Sequence, residues 1–324
     1  MSNKVLKPKK ASLYQFTQKY SNNIDNCIEF FKSMKWPEGF SCDRCGCHKY
    51  YLVKRVGKTK TSYVLECSSC HKQHSLLSGT IFQSCKIDLY KLLLGIFLFF
   101  NENKGISAVD LCSILDVNYK TALLLENKCR ILMSLSNSDK LLNSPFYEAD
   151  VFNIGAKSKN KAGRASEQQP ILGILSTDKE NNYPRFIKLR VITDYTGLSL
   201  KKNIEKCCVL SHDALLNTDG EKGFNTLNEE IQVKNEKISY EEKDHRLLWL
   251  NIIIGNIKNN ITGIYHGITK REMPLFLNEQ EYRFNHRKMG KTIMDKIKKY
   301  LQRSFPISHR QIVYILNISA PHFS

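Results

Sequence analysis

Two pairs of cysteines with the same short spacing constrain the fold of this chain more than any other feature. Cys42 and Cys45 form the first C-x-x-C pair, and Cys67 and Cys70 form the second. Four thiolates at this spacing match the ligand set of a tetrahedral zinc site. We therefore expect the first third of the chain to contain a zinc ribbon that binds one structural Zn²⁺ through these four cysteines.

The 21 residues between the two pairs are long enough for a β-hairpin, which we predict at Tyr50 to Lys54 paired with Ser62 to Leu65. The other cysteines are scattered, several among apolar neighbours, which is typical of reduced thiols and predicts no disulfide framework. Further residues near the pairs have side chains that can bind zinc, although four-coordination does not require them: Cys47, His48, His71 and His74.

The charge of the chain indicates a polyanionic partner. Its 324 residues carry a formal net charge of +18, and lysine and arginine gain affinity for nucleic acid by releasing counterions from phosphates. The length predicts two or three domains. The basic residues 1–10 lack a following apolar core, and the apolar segment from Leu92 to Phe100 is too short to cross a bilayer. We expect a cytoplasmic protein with no membrane partner.

A helix-turn-helix-like segment follows the ribbon. A strongly apolar helix from Asp88 to Phe100 precedes a short amphipathic helix, Ile106 to Leu115. A second helix, Tyr119 to Met133, follows after a three-residue turn. A small helical bundle with its lysines facing solvent would have the same pattern, so both interpretations remain open. If the segment binds DNA, the second helix offers four candidate contacts: Tyr119, Lys120, Lys128 and Arg130.

Beyond residue 145 the pattern changes to a mixture of strands and helices. The predicted order is strand, strand, strand, helix, strand, helix, which is the layout of a ribonuclease-H-like mixed sheet with flanking helices, in the α+β or α/β class. The strands are predicted at Phe146 to Ile154, Pro170 to Leu175, Arg185 to Thr193 and Ala214 to Thr218, and the helices at Leu198 to Cys208 and Arg246 to Ile261.

Two aspartates lie at strand positions that such a sheet would bring together. Asp150 is inside the first strand, and Asp219 ends the fourth, which neighbours the first in this layout. Carboxylates at this edge can share a divalent metal site, although Asp219 before glycine is also typical of a simple turn. In the following helix, Asn251 and Lys258 share a narrow polar stripe that either lines the site or faces solvent.

The pieces described above resemble bacterial insertion-sequence transposases of the Merlin-related, zinc-ribbon DDE/N type, the ISXO-like transposases, over residues 12–290. The resemblance rests on the order of these segments along the chain as well as on their sequences. The matching segments are Trp36 to Phe40 with the ribbon, Gly105 to Arg130, Asp150 to Gly155, Thr218 to Gly220, Gly263 to Gly267, and Tyr282 to Arg287 in the closing helix.

The resemblance implies a DNA transposase whose core holds two catalytic Mg²⁺ or Mn²⁺ ions. Asp150, Asp219 and Asn251 take the positions of the three metal ligands, and Lys258 takes the position of a lysine two turns beyond the third. Asn256 and Asp244 are rivals of Asn251 for the third position. With this mechanism, Lys258, His266 and the loop from Lys157 to Arg164 would contact DNA phosphates near the scissile bond, although His266 beside Tyr265 is also typical of a structural histidine.

On this interpretation the chain cleaves and joins DNA at insertion-sequence ends, as a homo-oligomer on terminal repeats and target DNA, and is nucleoid-associated when bound. Val151 departs from the family, which often has an acid after the first aspartate, and Asn251 is uncharged. The alternative is therefore a sequence-specific DNA-binding protein with a catalytically decayed core. A zinc-ribbon scaffold associated with RNA or transcription leaves Asp150 and Asp219 unexplained.

The expected domains are an N-terminal helical segment (1–35), the zinc ribbon (36–80), the helix-turn-helix-like segment (85–135), the ribonuclease-H-like core (145–290) and a basic C-terminal tail (291–324).

Overall fold

A computed structural model describes residues 11–57, 60–137, 141–155, 168–178, 183–235, 247–287 and 293–319. The chain divides into two compact units, residues 1–135 with 287–312, and residues 136–286 with 313–324.

The described helices are α1 (Leu13–Tyr20), α2 (Ile24–Lys35), α3 (Leu89–Asn101), α4 (Ala108–Leu115), α5 (Tyr119–Asn137), α6 (Gly197–Glu205), α7 (Leu248–Gly263), α8 (Met273–Asn285), α9 (Ile293–Arg303) and α10 (His309–Ser319). The strands are β1 (Tyr50–Val56), β2 (Thr61–Cys67), β3 (Gln73–Ser75), β4 (Phe146–Ile154), β5 (Gln169–Thr177), β6 (Pro184–Val191), β7 (Leu215–Thr218) and β8 (Gln232–Asn235), with a 3-10 helix at Lys222–Leu227.

The ribbon of the first unit is a three-stranded antiparallel sheet in the order β1-β2-β3. The predicted hairpin is present and longer than expected, because β1 and β2 pair from Tyr50 opposite Cys67 to Val56 opposite Thr61. The short strand β3 was not predicted. It pairs with β2 at His74 opposite Leu65, so the sheet continues directly after the second cysteine pair.

Helices α3, α4 and α5 lie where the sequence predicts them, although α5 continues to Asn137. A Cβ atom on Gly95 of α3 would lie 2.8 Å from Leu115 and 2.6 Å from Leu125, so glycine allows the three helices to approach closely. Asp116 ends α4 in the left-handed conformation, and Asn118 caps α5 by accepting from the Thr121 N–H at 2.9 Å. In the described part of the chain, neither α3 nor any other helix combines the length and hydropathy needed to cross a membrane.

The residues predicted to form a basic tail contribute instead to the core of the first unit. Helix α9 packs against α2 and α3 and buries its apolar side, including Ile297 and Leu301. The Lys298 Nζ donates to Ser33 Oγ at 2.9 Å, and Gln302 Nε2 donates to the Met34 carbonyl at 2.9 Å. The first unit is therefore built from residues 1–135 and from the later segment 287–312, which are far apart in the sequence.

The second unit contains a five-stranded mixed sheet in the order β6-β5-β4-β7-β8. Strand β4 is antiparallel to β5 and parallel to β7, which gives the ribonuclease-H-like arrangement that the sequence predicts. The fifth strand, β8, was not predicted, because its four residues carry only one apolar side chain, Val233. Residues of β4 alternate between two cores, with Tyr147 on the side of α6 and Phe152 on the side of α7 and α8.

Helix α8 protects the edge strand β6. The Asn285 side chain accepts from the Ile187 N–H at 2.8 Å and donates to the Ile187 carbonyl at 3.0 Å, while Glu281 accepts from the Leu189 N–H at 3.2 Å. Asn285 and Glu281, four residues apart on α8, thus accept hydrogen bonds from N–H groups that lie two residues apart on β6. Glu281 is fully buried and lies 3.1 Å from the Nζ of the buried Lys188. These contacts leave β6 unavailable for pairing with another strand.

Glu281→Ala should lower the free energy of unfolding by about 3–5 kcal/mol, because it leaves the buried Lys188 ammonium without its carboxylate. Chemical denaturation measures the change. Arg185→Ala is the matched control, since it breaks an ion pair with Asp178 in which the Arg185 side chain is 55% exposed and should cost about 1 kcal/mol or less. Equal effects of the two substitutions would contradict a stabilising role for Glu281.

Candidate functional site

The four cysteines of the ribbon converge on one point. Their Sγ atoms all lie within 4.8 Å of one another, with Cys42 3.6 Å from Cys70 and Cys45 3.5 Å from Cys67. Zn–S bonds of about 2.3 Å give sulfur separations of roughly 3.8 Å in a tetrahedron, so these distances fit a single Zn²⁺. The cluster is therefore suited to a structural zinc ion.

Two similar turns orient the four Sγ atoms towards the centre of the cluster. In the first turn the Gly46 N–H donates to the Cys42 carbonyl, and in the second the His71 N–H donates to the Cys67 carbonyl. Gly46 and His71 directly follow the second cysteine of each pair, and both adopt positive φ, at 70° and 55°. Each left-handed residue reverses the chain, so that both thiols of a pair point to the same side.

The environment of Cys42 favours the thiolate form that binds metal. Burial alone would raise the pKa of this thiol, but hydrogen bonds from the backbone N–H groups of Arg44 and Cys45 and from the His74 side chain outweigh it. The pKa is lowered to about 6. His74 is buried and packs against the Phe40 ring at 5.3 Å between centroids, so it supports Cys42 from the side of the aromatic core.

The other possible zinc ligands have different partners. His48 Nδ1 lies 3.0 Å from the Phe40 carbonyl, His71 Nδ1 lies 3.2 Å from Glu66, and Cys47 Sγ lies 3.5 Å from Ser68 Oγ. None of them belongs to the group of four sulfurs. The predicted ligand set therefore needs no replacement.

The two aspartates of the second unit lie at corresponding positions of neighbouring parallel strands. In the pair of β4 and β7, Ala149 lies opposite Thr218; Asp150 is the next residue of β4, and Asp219 directly follows the end of β7. Both side chains are half-buried. The middle of β4 and the carboxyl end of β7 thus bring together two acids that are far apart in the sequence.

A third acid in this region, Glu148, was missed by the sequence reasoning. Residues 148 and 150 face the same side of β4, because side chains alternate along a strand. Glu148 is buried, and its Oε2 accepts from the Leu250 N–H at 3.1 Å, where α7 begins. Burial raises the pKa of Glu148 to about 7, and the hydrogen bond from Leu250 opposes this rise. The same-face spacing from Asp150 was the signal available in the sequence.

Helix α7 presents its polar stripe next to β4. Asn251 is exposed in the first turn, one residue after the Leu250 N–H that binds Glu148. The Lys258 Nζ lies 5.8 Å from the centroid of the Phe152 ring on β4, and a Cβ atom on Gly255 would meet nothing within 4 Å. Asn256 points about 140° away from Asn251 around the helix. The rival Asp244 and the loop from Lys157 to Arg164 lie outside the described residues.

The predicted DNA contacts of α5 fall into two groups. Tyr119 and Lys120 are exposed at the start of the helix. Lys128 and Arg130 are buried: the Lys128 Nζ donates to the Ile81 carbonyl at 2.5 Å, and Arg130 Nη2 lies 2.6 Å from Glu126 Oε1. Contrary to expectation, Lys128 and Arg130 do not face solvent, because apolar packing of α5 turns this side of the helix inward.

His266, the remaining predicted DNA contact, follows the end of α7. It is exposed and adopts a φ of 52°. The neighbouring Tyr265 donates its hydroxyl to the buried Glu279 at 2.5 Å. This contact anchors the segment that carries His266.

Comparisons with known proteins match both parts of the chain. A family model for the transposase zinc-ribbon domain matches residues 23–73, and the model for the ISXO2-like transposase domain matches residues 144–285. No curated protein matches the chain. Among solved structures, the chain is similar to one titled "Crystal structure of a pre-cleavage Mos1 transpososome", with 10% sequence identity and a TM-score of 0.29, over 71% of this chain and 79% of that chain. The chain therefore contains a domain that matches the transposase zinc-ribbon family, followed by a domain that matches the ISXO2-like transposase family.

Proposed function

We propose that the chain is a DNA transposase that cleaves and joins DNA at insertion-sequence ends in a metal-dependent reaction. The observation that carries this proposal is the register of β4 and β7, in which Asp150 and Asp219 each follow directly after the paired residues Ala149 and Thr218. The match of this region to the ISXO2-like transposase domain supports it.

The candidate ligands suit a hard divalent cation. Two carboxylates and the amide oxygen of Asn251 provide oxygen donors, which Mg²⁺ and Mn²⁺ prefer to the sulfur donors of the ribbon. Two such ions, when bound, would lower the pKa of an attacking hydroxyl group and stabilise the leaving oxygen. Asp150 and Asp219 would hold the ions from the sheet, and Asn251 would hold them from α7.

The contacts of α7 support Asn251 as the third ligand rather than Asn256. Lys258, whose Nζ lies over the Phe152 ring of β4, shares its helix face with Asn251. Glu148 fixes the first turn of the helix to β4, two residues from Asp150. In this arrangement Lys258 places a positive charge where a DNA phosphate would pass, and Gly255 keeps the space between them open.

DNA is the proposed partner of both units. The net charge of +18 provides the general attraction, and Tyr119 and Lys120 at the start of α5 provide an exposed contact for terminal-repeat DNA. His266 contributes a further phosphate contact beyond α7. We propose that the active form is a homo-oligomer on the paired ends of the element.

The test is an assay of nicking and joining with the full chain, labelled end DNA and Mg²⁺ or Mn²⁺. Asn251→Ala should lower the rate by about two orders of magnitude, since a lost ligand removes several kcal/mol of metal-assisted stabilisation. Asn256→Ala is the matched control and should remain close to wild type. Asn251→Asp, which restores an anionic ligand, should retain or raise activity. If Asn256→Ala loses activity while Asn251→Ala does not, the third ligand is Asn256 and not Asn251.

A second candidate function is specific DNA binding by a chain with a decayed catalytic core. The neutral, exposed Asn251 favours it, because an amide binds a cation more weakly than a carboxylate does. In that case the full chain would bind end DNA selectively but would neither nick nor join it at any concentration of Mg²⁺ or Mn²⁺.

A further inference from the structure

We propose that Asn235, the last residue of β8, is a positioning residue that holds the Asp219 carboxylate where a divalent cation can bind. This inference rests on the proposed function, since it concerns the same site. Sequence reasoning predicted neither β8 nor a role for this asparagine.

Asn235 is hydrogen-bonded on both sides of Asp219. Its Oδ1 accepts from the Thr218 hydroxyl at 2.8 Å, one residue before the aspartate. Its Nδ2 donates to the Glu221 carbonyl at 2.8 Å, two residues after the aspartate, and to Asn225 Oδ1 at 2.7 Å. One amide group therefore joins the strand that ends before Asp219 to the loop that follows it.

The chemistry of the primary amide fits this arrangement. Asparagine offers one acceptor oxygen and two N–H donors, and all three functions are used here. An aspartate of the same shape would keep the acceptor for Thr218 but would face the Glu221 carbonyl and the Asn225 oxygen with a second acceptor. Asn235→Asp therefore separates the hydrogen bonds from the shape of the side chain.

The far end of the same loop is fixed independently of Asn235. A Cβ atom on Gly223 would lie 2.7 Å from the Tyr195 carbonyl oxygen, so the loop lies directly against the turn that precedes α6. The Thr226 hydroxyl donates to the Gly223 carbonyl at 2.9 Å and to the Gly197 carbonyl at 3.2 Å. The four residues from Asp219 to Lys222 are thus held from two sides, and Asn235 provides the side next to the aspartate.

The position of the Asp219 carboxylate matters because metal ligands must stay within a few tenths of an ångström of their productive geometry. If Asn235 acts in this way, its loss should weaken metal binding more than it changes the chemistry at saturating metal. A residue that only stabilises the fold would instead lower the melting temperature and the activity at every metal concentration.

The experiment measures Mn²⁺ binding by the full chain, using electron paramagnetic resonance to count free Mn²⁺ during a titration. Carboxylate sites bind Mn²⁺, whereas the thiolates of the ribbon favour zinc. Asn235→Ala and Asn235→Asp should each raise the apparent Kd for Mn²⁺ by about tenfold, in the range found for residues that orient metal ligands. Nicking of end DNA should recover to near wild type at saturating Mn²⁺. Gln232→Ala, an exposed residue of the same strand, is the matched control and should leave the Kd unchanged.

Asp219→Ala distinguishes failure of this inference from failure of the proposed function. If Asp219→Ala abolishes Mn²⁺ binding and nicking while both Asn235 variants bind Mn²⁺ like wild type, Asn235 has no positioning role. If Asp219→Ala itself binds Mn²⁺ and nicks DNA normally, the proposed site is wrong. Should Asn235→Ala fail to fold, Thr218→Val removes one of the three hydrogen bonds and is judged by the same shift in Kd.

Discussion

Alanine at Asp150 or at Asp219 is expected to abolish both nicking and joining of end DNA while leaving DNA binding intact. Each aspartate follows a paired residue of β4 or β7 and contributes negative charge to the same region of the sheet. Loss of either charge would remove the proposed cations but not the positive surface that attracts phosphates. The rate should fall by at least about three orders of magnitude, which corresponds to about 4 kcal/mol.

The control for this prediction is Asp213→Ala, which changes the net charge equally at an exposed position before β7. It should cleave DNA like wild type. Lys120→Glu provides the opposite pattern, with weakened end binding and an intact metal site, because Lys120 is exposed on α5 in the other unit. Strand transfer that survives Asp150→Ala would overturn the proposed mechanism.

Serine at Cys67 is expected to release zinc and unfold residues 40–75 while the ribonuclease-H-like unit stays folded. Cys67 is fully buried, ends β2 and lies opposite Tyr50, so it joins the metal cluster to the hairpin. A ribbon of this size lacks a large core, and metal binding supplies much of its folding free energy. Elemental analysis and hydrogen exchange measure the two consequences.

Cys47→Ser is the matched control, because Cys47 is adjacent to the first pair but outside the group of four sulfurs. It should retain one zinc per chain and normal exchange in β1 and β2. Wild-type protein that contains no zinc after purification without chelator would contradict the prediction. So would a Cys67→Ser variant in which residues 40–75 keep their protection.

The parts of the fold that could be predicted from sequence are those in which local chemistry determines structure. The spacing of the cysteine pairs encodes the geometry of the ribbon, and the strand from Phe146 to Ile154 lies at its predicted bounds. The parallel neighbourhood of β4 and β7 followed from the order of elements. For these strands the periodicity of apolar residues was sufficient to predict the secondary structure, because the strands are buried against both cores.

The rest depended on contacts between residues distant in sequence. Lys128 and Arg130 are charged, yet they lie inward, since charge alone does not reveal which side of α5 packs. Helix α8 has buried charges that obscure its apolar pattern, and Glu281 is stable there because Lys188 and Arg190 of β6 are its partners. The roles of Glu148 and Asn235 likewise depend on distant residues. Glu148 accepts a hydrogen bond from the Leu250 N–H, and Asn235 donates one to the loop after Asp219.

Helix α9 gives the chain an order of folding that differs from its order of synthesis. The surface of α2 and α3 that α9 covers remains exposed to solvent until residue 303 has left the ribosome. At usual elongation rates this is roughly ten to thirty seconds after residue 135 has been made. Residues 136–286 of the second unit can therefore fold before the first unit is complete. A product that stops short of α9 would contain this segment but would lack the helix that covers α2 and α3, so premature termination would leave the first unit unfinished.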